Sequence, residues 1–146
     1  MQDSSPRIWV VWLEVVIVLV MAYSLVLVGA GGFALSLFDT LGFGPDAATS
    51  DAFRDYLRLP FAVLGAVMFG WMALLLTVVR GPLRRGEPWA WRGVALSLTS
   101  WFVIDTGISL VLGFPTHALF NVAFAVALAV PMIGLHRSPQ PEGEPG

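Results

Sequence analysis

The sequence predicts an all-α integral membrane protein built as a bundle of four membrane-spanning helices. Its mean hydropathy is +0.79, and 57% of its residues are hydrophobic, whereas about half is usual for a soluble domain. Four apolar runs lie at about 8–28, 59–79, 89–112 and 115–135. Each is long enough, at roughly 1.5 Å per residue, to cross a hydrocarbon core of about 30 Å. We expect a single domain over residues 1–137.

Composition also narrows the function classes. The formal net charge of −2 is too small to suggest nucleic acid as a partner. The chain has no cysteine and only two histidines, which excludes thiolate metal sites and histidine clusters. The sequence contains no HExxH, nucleophile-elbow or phosphate-loop pattern. We therefore expect no metal and no cofactor, and an enzyme is the less favoured class.

The first apolar run predicts a helix that the mature protein retains. The run over 8–28 is longer than the core of a signal peptide, and Arg7 is the only positive charge before it. The helix could continue through its glycines to Phe38. Cleavage at the small residues 29–32 is the alternative.

Residues 39–58 form the only sizeable hydrophilic stretch between two apolar runs, with a formal charge of −2. Ser50 could cap a short helix that lies on the membrane surface, with Phe53 and Tyr56 on one side. We expect Pro60 in the first turn of helix 2, where its missing N–H leaves no helix bond unmade.

The connection between the second and third runs sets the expected orientation. Its sequence, RGPLRRGEPWAWR, carries a formal charge of +3. By the positive-inside rule this loop lies in the cytoplasm, and both termini should then be cytoplasmic. The tail 138–146 has no apolar residue to bury, so we expect it to be disordered.

A weak internal repeat raises the hypothesis of two duplicated hairpins. The tetrapeptide SLVL occurs at 24–27, near the end of the first run, and again at 109–112, near the end of the third. The second and fourth runs both begin with an apolar residue and a proline, at 59–60 and 114–115. Such matches also arise by chance in a chain rich in Leu and Val, so a single unduplicated bundle is the alternative.

The hairpin of the third and fourth runs holds the polar residues that a bilayer tolerates least. Asp105 lies roughly 24 Å from the inner edge, and Asn121 lies roughly 9 Å below the outer end, so both are at a similar depth in the outer half. Asp105 shares a helix face with Ser109, and Asn121 shares one with His117. Trp101 lies one turn below Asp105. These five residues are the candidate site.

Two interpretations fit this candidate site. One is a clasp between helices, in which each hydrogen bond contributes about 0.6 to 2 kcal/mol. The other is an outward-opening pocket for a small or lipid-like ligand or a proton. A lone carboxylate costs about 2.5 to 3.5 kcal/mol at a helix centre and therefore needs a partner or water. Protonated His117 or the Asn121 amide could pair with Asp105, or Asp105 could stay neutral.

Glu14 is a separate candidate. It lies roughly 9 Å inside the cytoplasmic end of helix 1, at the level of Arg92 on helix 3. We expect a Glu14–Arg92 ion pair that ties the two helices. The alternative makes Glu14 the inner station of a proton path from Asp105 through the hydroxyl residues within 97–100.

Small residues on helix 2 predict a close neighbour, either another helix of this chain or a second copy. They are Gly65, Ala66, Gly70 and Ala73. Trp71 and Trp101 lie deeper than the interfacial tryptophans, and we expect them to pack within the bundle rather than to bind a cofactor.

One stretch carries a family resemblance. The sequence D-T-G-I-S at 105–109, followed by G-F-P-T-H-A-L-F-N at 113–121, resembles the small four-helix bacterial inner-membrane proteins such as the DoxX-like group. The resemblance covers the arrangement of the whole chain. It implies a helical bundle in the inner (plasma) membrane, and it assigns no functional residue.

Together these observations favour a non-enzymatic membrane protein whose outer-half pocket binds a small or lipid-like ligand. Membrane lipid, a second copy of the chain and another membrane protein are the expected partners. The enzyme alternative assigns Asp105 and His117 as general acid and base acting on a hydrophobic lipid. A proton-coupled transport subunit is the third class.

Overall fold

Every regular element in the described part of the chain is helical. The computed structural model describes residues 5–40 and 51–137. Its elements are α1 (Ser5–Gly29), α2 (Gly31–Thr40), α3 (Asp51–Val78), a π-helical turn (Val79–Leu83), α4 (Pro88–Val111) and α5 (Pro115–Arg137). The helices α1, α3, α4 and α5 are each long and apolar enough to cross a membrane. The predicted fold class, an all-α bundle of four long helices, is confirmed, and the chain is a multi-pass membrane protein.

Helix α1 occupies the centre of the arrangement. It packs against α3 on one side and α5 on the other, and α4 packs on the far side of α5. Although α3 and α4 are joined by a short connection, they contact each other only sparsely, and α1 does not contact α4. The order around the bundle is therefore α3, α1, α5, α4, and the sparse α3–α4 contact closes the ring.

One end of the bundle carries the π-helical turn and the arginine-rich loop 84–87, and we name it the arginine-rich end. The apolar core lies towards this end. Its most deeply buried members, each at most 1% exposed, are Leu13, Met72, Val79 and Ala90. Towards the opposite end, which carries the turn at Gly113, the buried residues include the polar side chains of Ser24, Ser109 and Asn121. Most of the remaining large apolar side chains point outwards, as lipid-facing positions do.

A glycine allows the close contact between α1 and α3. A Cβ added at Gly65 would lie 2.5 Å from the Ser24 carbonyl oxygen and 2.9 Å from the Leu27 Cβ. Gly70, also on α3, has no atom within 4 Å of such a Cβ. The close neighbour at Gly65 is therefore α1 of the same chain, and Gly70 lies on an open surface.

The structure corrects the predicted start of the second spanning helix. Helix α3 begins at Asp51, and Pro60 lies inside it rather than in its first turn. The predicted surface helix and helix 2 are thus one helix, because the only bond that Pro60 removes is the one to the carbonyl of Tyr56, which is exposed. The proposed cap, Ser50, lies outside the described residues, as does the tail 138–146.

The first helix also ends differently from its longest predicted form. The chain interrupts the helix at Ala30, whose N–H donates to the Val26 carbonyl at 2.8 Å, and α2 then runs separately to Thr40. Glycines on both sides of Ala30 favour this interruption, because glycine has low helix propensity.

A tight turn joins α4 to α5 and sets the register of the polar cluster. Gly113 has a φ of 82°, a left-handed conformation that glycine adopts without steric cost. The Phe114 N–H donates to the Ser109 carbonyl at 2.8 Å, which closes α4 in the manner of a Schellman motif. Pro115 then begins α5. The bounds of α4 and α5 differ by at most two residues from the expected ones.

Candidate functional site

A polar cluster centred on Asp105 joins α4 to α5 in the half of the hairpin nearer the turn at Gly113. The Asn121 Nδ2 donates to Asp105 Oδ2 at 2.8 Å. The His117 Nε2 lies 3.3 Å from the same oxygen. His117 and Asn121 are one turn apart on the first turns of α5, and the short turn at Gly113 brings them to the level of Asp105. The structure thus brings together three of the five residues of the candidate site.

Thr106 belongs to this cluster although sequence reasoning missed it. Its Oγ1 lies 3.4 Å from Asn121 Nδ2. Neighbouring residues on a helix point about 100° apart, so the face shared by Asp105 and Ser109 gave no reason to include it. Thr106 follows Asp105 in the sequence and therefore lies at nearly the same depth. That depth is the signal that could have identified Thr106 as a member of the cluster.

Ser109 lies next to the cluster but does not contribute its hydroxyl. The Ser109 Oγ donates to the Asp105 backbone carbonyl at 2.6 Å, and its side chain is buried. A serine within a helix commonly bonds the carbonyl four residues earlier. Ser24 on α1 does the same with Val20 at 2.7 Å, so the two serines of the internal repeat share one local role.

Trp101 lies beneath the cluster in an aromatic layer with Trp71 and Phe124. Its ring meets Phe124 edge-on at 5.5 Å and lies 6.4 Å from the ring of Trp71. The Trp71 Nε1 donates to Ser97 Oγ at 2.9 Å, which bridges α3 and α4. This layer closes the bundle below Asp105.

The cluster presents a partly exposed acid. The side chains of Asp105 and His117 are 34% and 28% exposed, whereas Asn121 is 1% exposed. Both neighbours contact Oδ2, and among the described residues no group donates to Oδ1. One oxygen of the carboxyl group is thus anchored, and the other has no donor among the described residues.

Glu14 pairs with Arg80 rather than with the predicted partner, Arg92. The Arg80 Nε lies 3.5 Å from Glu14 Oε1, and no ion pair joins Glu14 to Arg92 in the described residues. The reason is the order of the helices, because α1 contacts the π-helical turn that holds Arg80 but does not contact α4. The predicted Glu14–Arg92 pair is therefore wrong in its partner.

The chain matches no protein-family model, no curated protein and no solved structure. The resemblance to the DoxX-like group stays a prediction.

The chemistry of the cluster follows from its donors and acceptors. An aspartate with one open oxygen can hold an ammonium group or a strong hydrogen-bond donor. The adjacent imidazole can exchange a proton with that ligand or with water. Within the described residues, groups of three or more His, Asp or Glu that could hold a metal do not occur.

Proposed function

We propose that the chain is a non-enzymatic protein of the bacterial inner membrane that binds a small or lipid-like ligand at Asp105. The observation that carries this proposal is the one-sided anchoring of the carboxyl group. His117 and Asn121 contact Oδ2, and no described residue donates to Oδ1 of this side chain, which is 34% exposed. The ligand class that fits is a polar headgroup with an amine or another strong donor, attached to an apolar chain.

The expected entry is the gap between α3 and α4. Ser97, Trp101 and Asp105 follow one another at intervals of four residues and therefore share a face of α4. The two lower residues meet Trp71 of α3, through a hydrogen bond and a ring contact. The contacts between α3 and α4 are sparse overall, and Asp105 lies one turn above the bridge, so we expect this face to be open there.

A ligand site explains why the cluster contains an acid. Helices can be clasped by neutral amides, each hydrogen bond contributing about 0.6 to 1.7 kcal/mol. A carboxylate adds a desolvation cost of about 2.5 to 3.5 kcal/mol at a helix centre, and less near the interface. What the acid adds in return is the capacity to bind a cation or a strong donor.

Native mass spectrometry of the protein extracted from its own membrane tests this proposal. We expect the wild-type protein to retain an adduct that added phosphatidylethanolamine restores after delipidation, and chain-matched phosphatidylcholine does not, because its headgroup lacks N–H donors. Asp105→Asn should lose this preference. Asp55→Asn is the matched control, since Asp55 is an exposed acid paired with Arg58 away from the cluster. Retention of the same adduct by Asp105→Asn would refute the proposal.

The acid/base enzyme is the second candidate, because one observation favours it. The contact of 3.3 Å between His117 Nε2 and Asp105 Oδ2 is the arrangement of a base with its orienting acid. This alternative predicts that a lipid panel incubated with the protein yields a product, and that His117→Ala abolishes it. The transport alternative has less support, because Glu14 pairs with Arg80 at the other end of the bundle.

A further inference from the structure

An apolar groove lies between α4 and α5 and extends from Trp91 to Trp101, one turn below Asp105, which is not among its lining residues. It has a volume of about 290 Å³, close to the smallest ligand pockets at about 300 Å³. Its walls include Ala95, Thr99 and Phe102 from α4 and Ala125, Ala129 and Ile133 from α5. Thr99, Ala129 and Ile133 are exposed, so the groove opens sideways towards lipid. One hydrocarbon chain suits this shape and lining.

Both walls of the groove end in an arginine. On α4, Arg92 precedes Ala95 and Thr99 by three and seven residues and shares their face. On α5, Arg137 follows Ala129 and Ile133 at intervals of four residues. Since α4 and α5 run in opposite directions, both arginines lie at the arginine-rich end.

Trp91 ties these two helix ends together. Its Nε1 donates to the Met132 carbonyl at 2.9 Å, and its ring lies 4.7 Å from the ring of His136. The first turn of α4 is therefore held beside the last two turns of α5. Arg92 and Arg137 consequently flank the same end of one groove, with His136 next to them.

These two arginines carry positive charge that the described residues do not neutralise. Arg80 pairs with Glu14, and Arg85 pairs with Glu87 at 2.6 Å. Arg92 and Arg137 are exposed, and neither forms an ion pair with a residue in 5–40 or 51–137. Guanidinium groups bind phosphate oxygens through paired hydrogen bonds, so this end of the groove is complementary to an anionic phosphate.

We propose that the groove binds a phospholipid with a net negative headgroup, such as phosphatidylglycerol. One acyl chain lies along Ala95, Ala125 and Ala129, and the phosphate lies between Arg92 and Arg137. A zwitterionic headgroup also presents a phosphate, but its ammonium group opposes the two arginines, so the anionic lipid is preferred. This site is separate from Asp105 and requires no ligand there.

Native mass spectrometry of the delipidated full chain, titrated with phosphatidylglycerol or phosphatidylcholine of identical chains, tests the proposal. We expect phosphatidylglycerol to be retained about tenfold more strongly, and the double variant Arg92→Gln/Arg137→Gln to remove that preference. Arg84→Gln, which removes an exposed loop arginine outside the groove, should leave it unchanged. Ala129→Phe should reduce retention of both lipids, because the ring fills the groove.

Two results would overturn this site. One is equal retention of the two lipids by the wild-type protein. The other is an equal loss of preference in Arg84→Gln and in the double variant, which would indicate general charge attraction. If the double variant does not fold, a measurement on the wild-type protein alone still tests the proposal. Brominated chains of phosphatidylglycerol should quench tryptophan fluorescence more than those of phosphatidylcholine, and equal quenching would also overturn the proposal.

Discussion

The Asn121 amide is the residue that fixes the position of the Asp105 carboxyl group. Asn121 is almost fully buried and donates at 2.8 Å, the shortest contact to that group. His117 makes a longer contact of 3.3 Å from a more exposed position. The amide therefore supplies the anchor, and the imidazole supplies a second, longer contact.

Removal of this amide should lower the stability of the α4–α5 hairpin. We expect Asn121→Ala to reduce the free energy of unfolding by about 1 to 3 kcal/mol, because the partly buried Asp105 loses its best donor. Reversible unfolding in mixed micelles with added SDS measures the change. Val122→Ala, at the neighbouring exposed position, is the control, and an equal effect of both substitutions would contradict the anchoring role.

The pairing of Glu14 predicts a measurable coupling. A double-mutant cycle of Glu14→Gln and Arg80→Gln should give about 0.2 to 1 kcal/mol, since the Arg80 side chain is 57% exposed and solvent screens the pair. The same cycle with Arg92→Gln should give no coupling. Unfolding free energies of the four variants in each cycle provide the test, and coupling only with Arg92 would contradict the structure.

Glu87, in the arginine-rich loop, should respond to acid. Hydrogen bonds from Arg85 and Trp89 hold the pKa of Glu87 below its ordinary value. These bonds favour the ionised form, so their stabilising effect is present above the ordinary glutamate pKa and is lost as the pH falls through the lowered pKa. Fluorescence of Trp89, whose indole bonds Glu87 at 2.6 Å, reports the transition.

Two variants isolate that signal from the other tryptophans. Glu87→Gln should remove the fluorescence change between neutral and acidic pH, and Trp89→Phe should remove the same component. A change in the wild type that persists in both variants would show that another group titrates.

For individual residues, the sequence predicts the depth in the membrane and the helix face, but not which atoms form hydrogen bonds with each other. Asp105, His117 and Asn121 were placed together because their spacing and distance from the turn at Gly113 leave little freedom. The hydroxyl of Ser109 was misjudged, since a backbone carbonyl of its own helix competes for it. Whether a serine bonds its own helix depends on its side-chain rotamer, and residue spacing does not predict that rotamer.

Among the helices, α3 shows how a single residue decides the distance between two elements. The backbone of α1 passes so close to Gly65 that an added Cβ would meet the Ser24 carbonyl oxygen at 2.5 Å. Backbone at this distance cannot move aside as the end of a flexible side chain can. The α1–α3 contact therefore depends on glycine at this position.

Gly65→Ala should loosen this contact. We expect a loss of about 1 to 3 kcal/mol in the free energy of unfolding, because the methyl group forces the two backbones apart. Gly70→Ala is the matched control on the same helix, with nothing within 4 Å of the added carbon. That control should be neutral or gain up to about 1 kcal/mol from helix propensity. Equal losses in both variants, measured by unfolding in micelles, would exclude close packing as the cause.

The helix bounds show where sequence patterns are reliable. Turn chemistry at Gly113 and Pro115 marks the ends of α4 and α5 to within two residues. Pro60 was interpreted in the same way, as the start of a helix, yet α3 begins nine residues earlier at Asp51. The rule failed because α3 continues past Pro60, which removes the bond to the carbonyl of Tyr56, an exposed residue.

For the whole molecule, the order α3, α1, α5, α4 decides which distant residues can meet. Hydropathy alone predicts four long apolar helices, and residues 5–40 and 51–137 form four such helices. Hydropathy does not predict which helices are neighbours, because lipid-facing and helix-facing positions are both apolar. The predicted Glu14–Arg92 pair is wrong for this reason, because it requires α1 and α4 to be neighbours.

The orientation of the molecule is open to a direct test, because the chain has no cysteine. A single cysteine introduced by Arg84→Cys should react with a membrane-impermeant maleimide only after the cells are opened. Thr116→Cys, at the outer end of α5, should react in intact cells. The reverse pattern would place the arginine-rich loop outside.

The length of α3 has a consequence for its proline. The span Asp55–Leu83 has 29 residues, so at about 1.5 Å per residue it measures about 43 Å, and a typical tilt of about 20° still leaves it longer than about 30 Å of hydrocarbon. The excess extends into the headgroup layers, where the Asp55–Arg58 pair marks one end. Pro60 consequently lies near the boundary between hydrocarbon and headgroups, where water can reach the Tyr56 carbonyl, the group that would otherwise accept from an N–H at position 60.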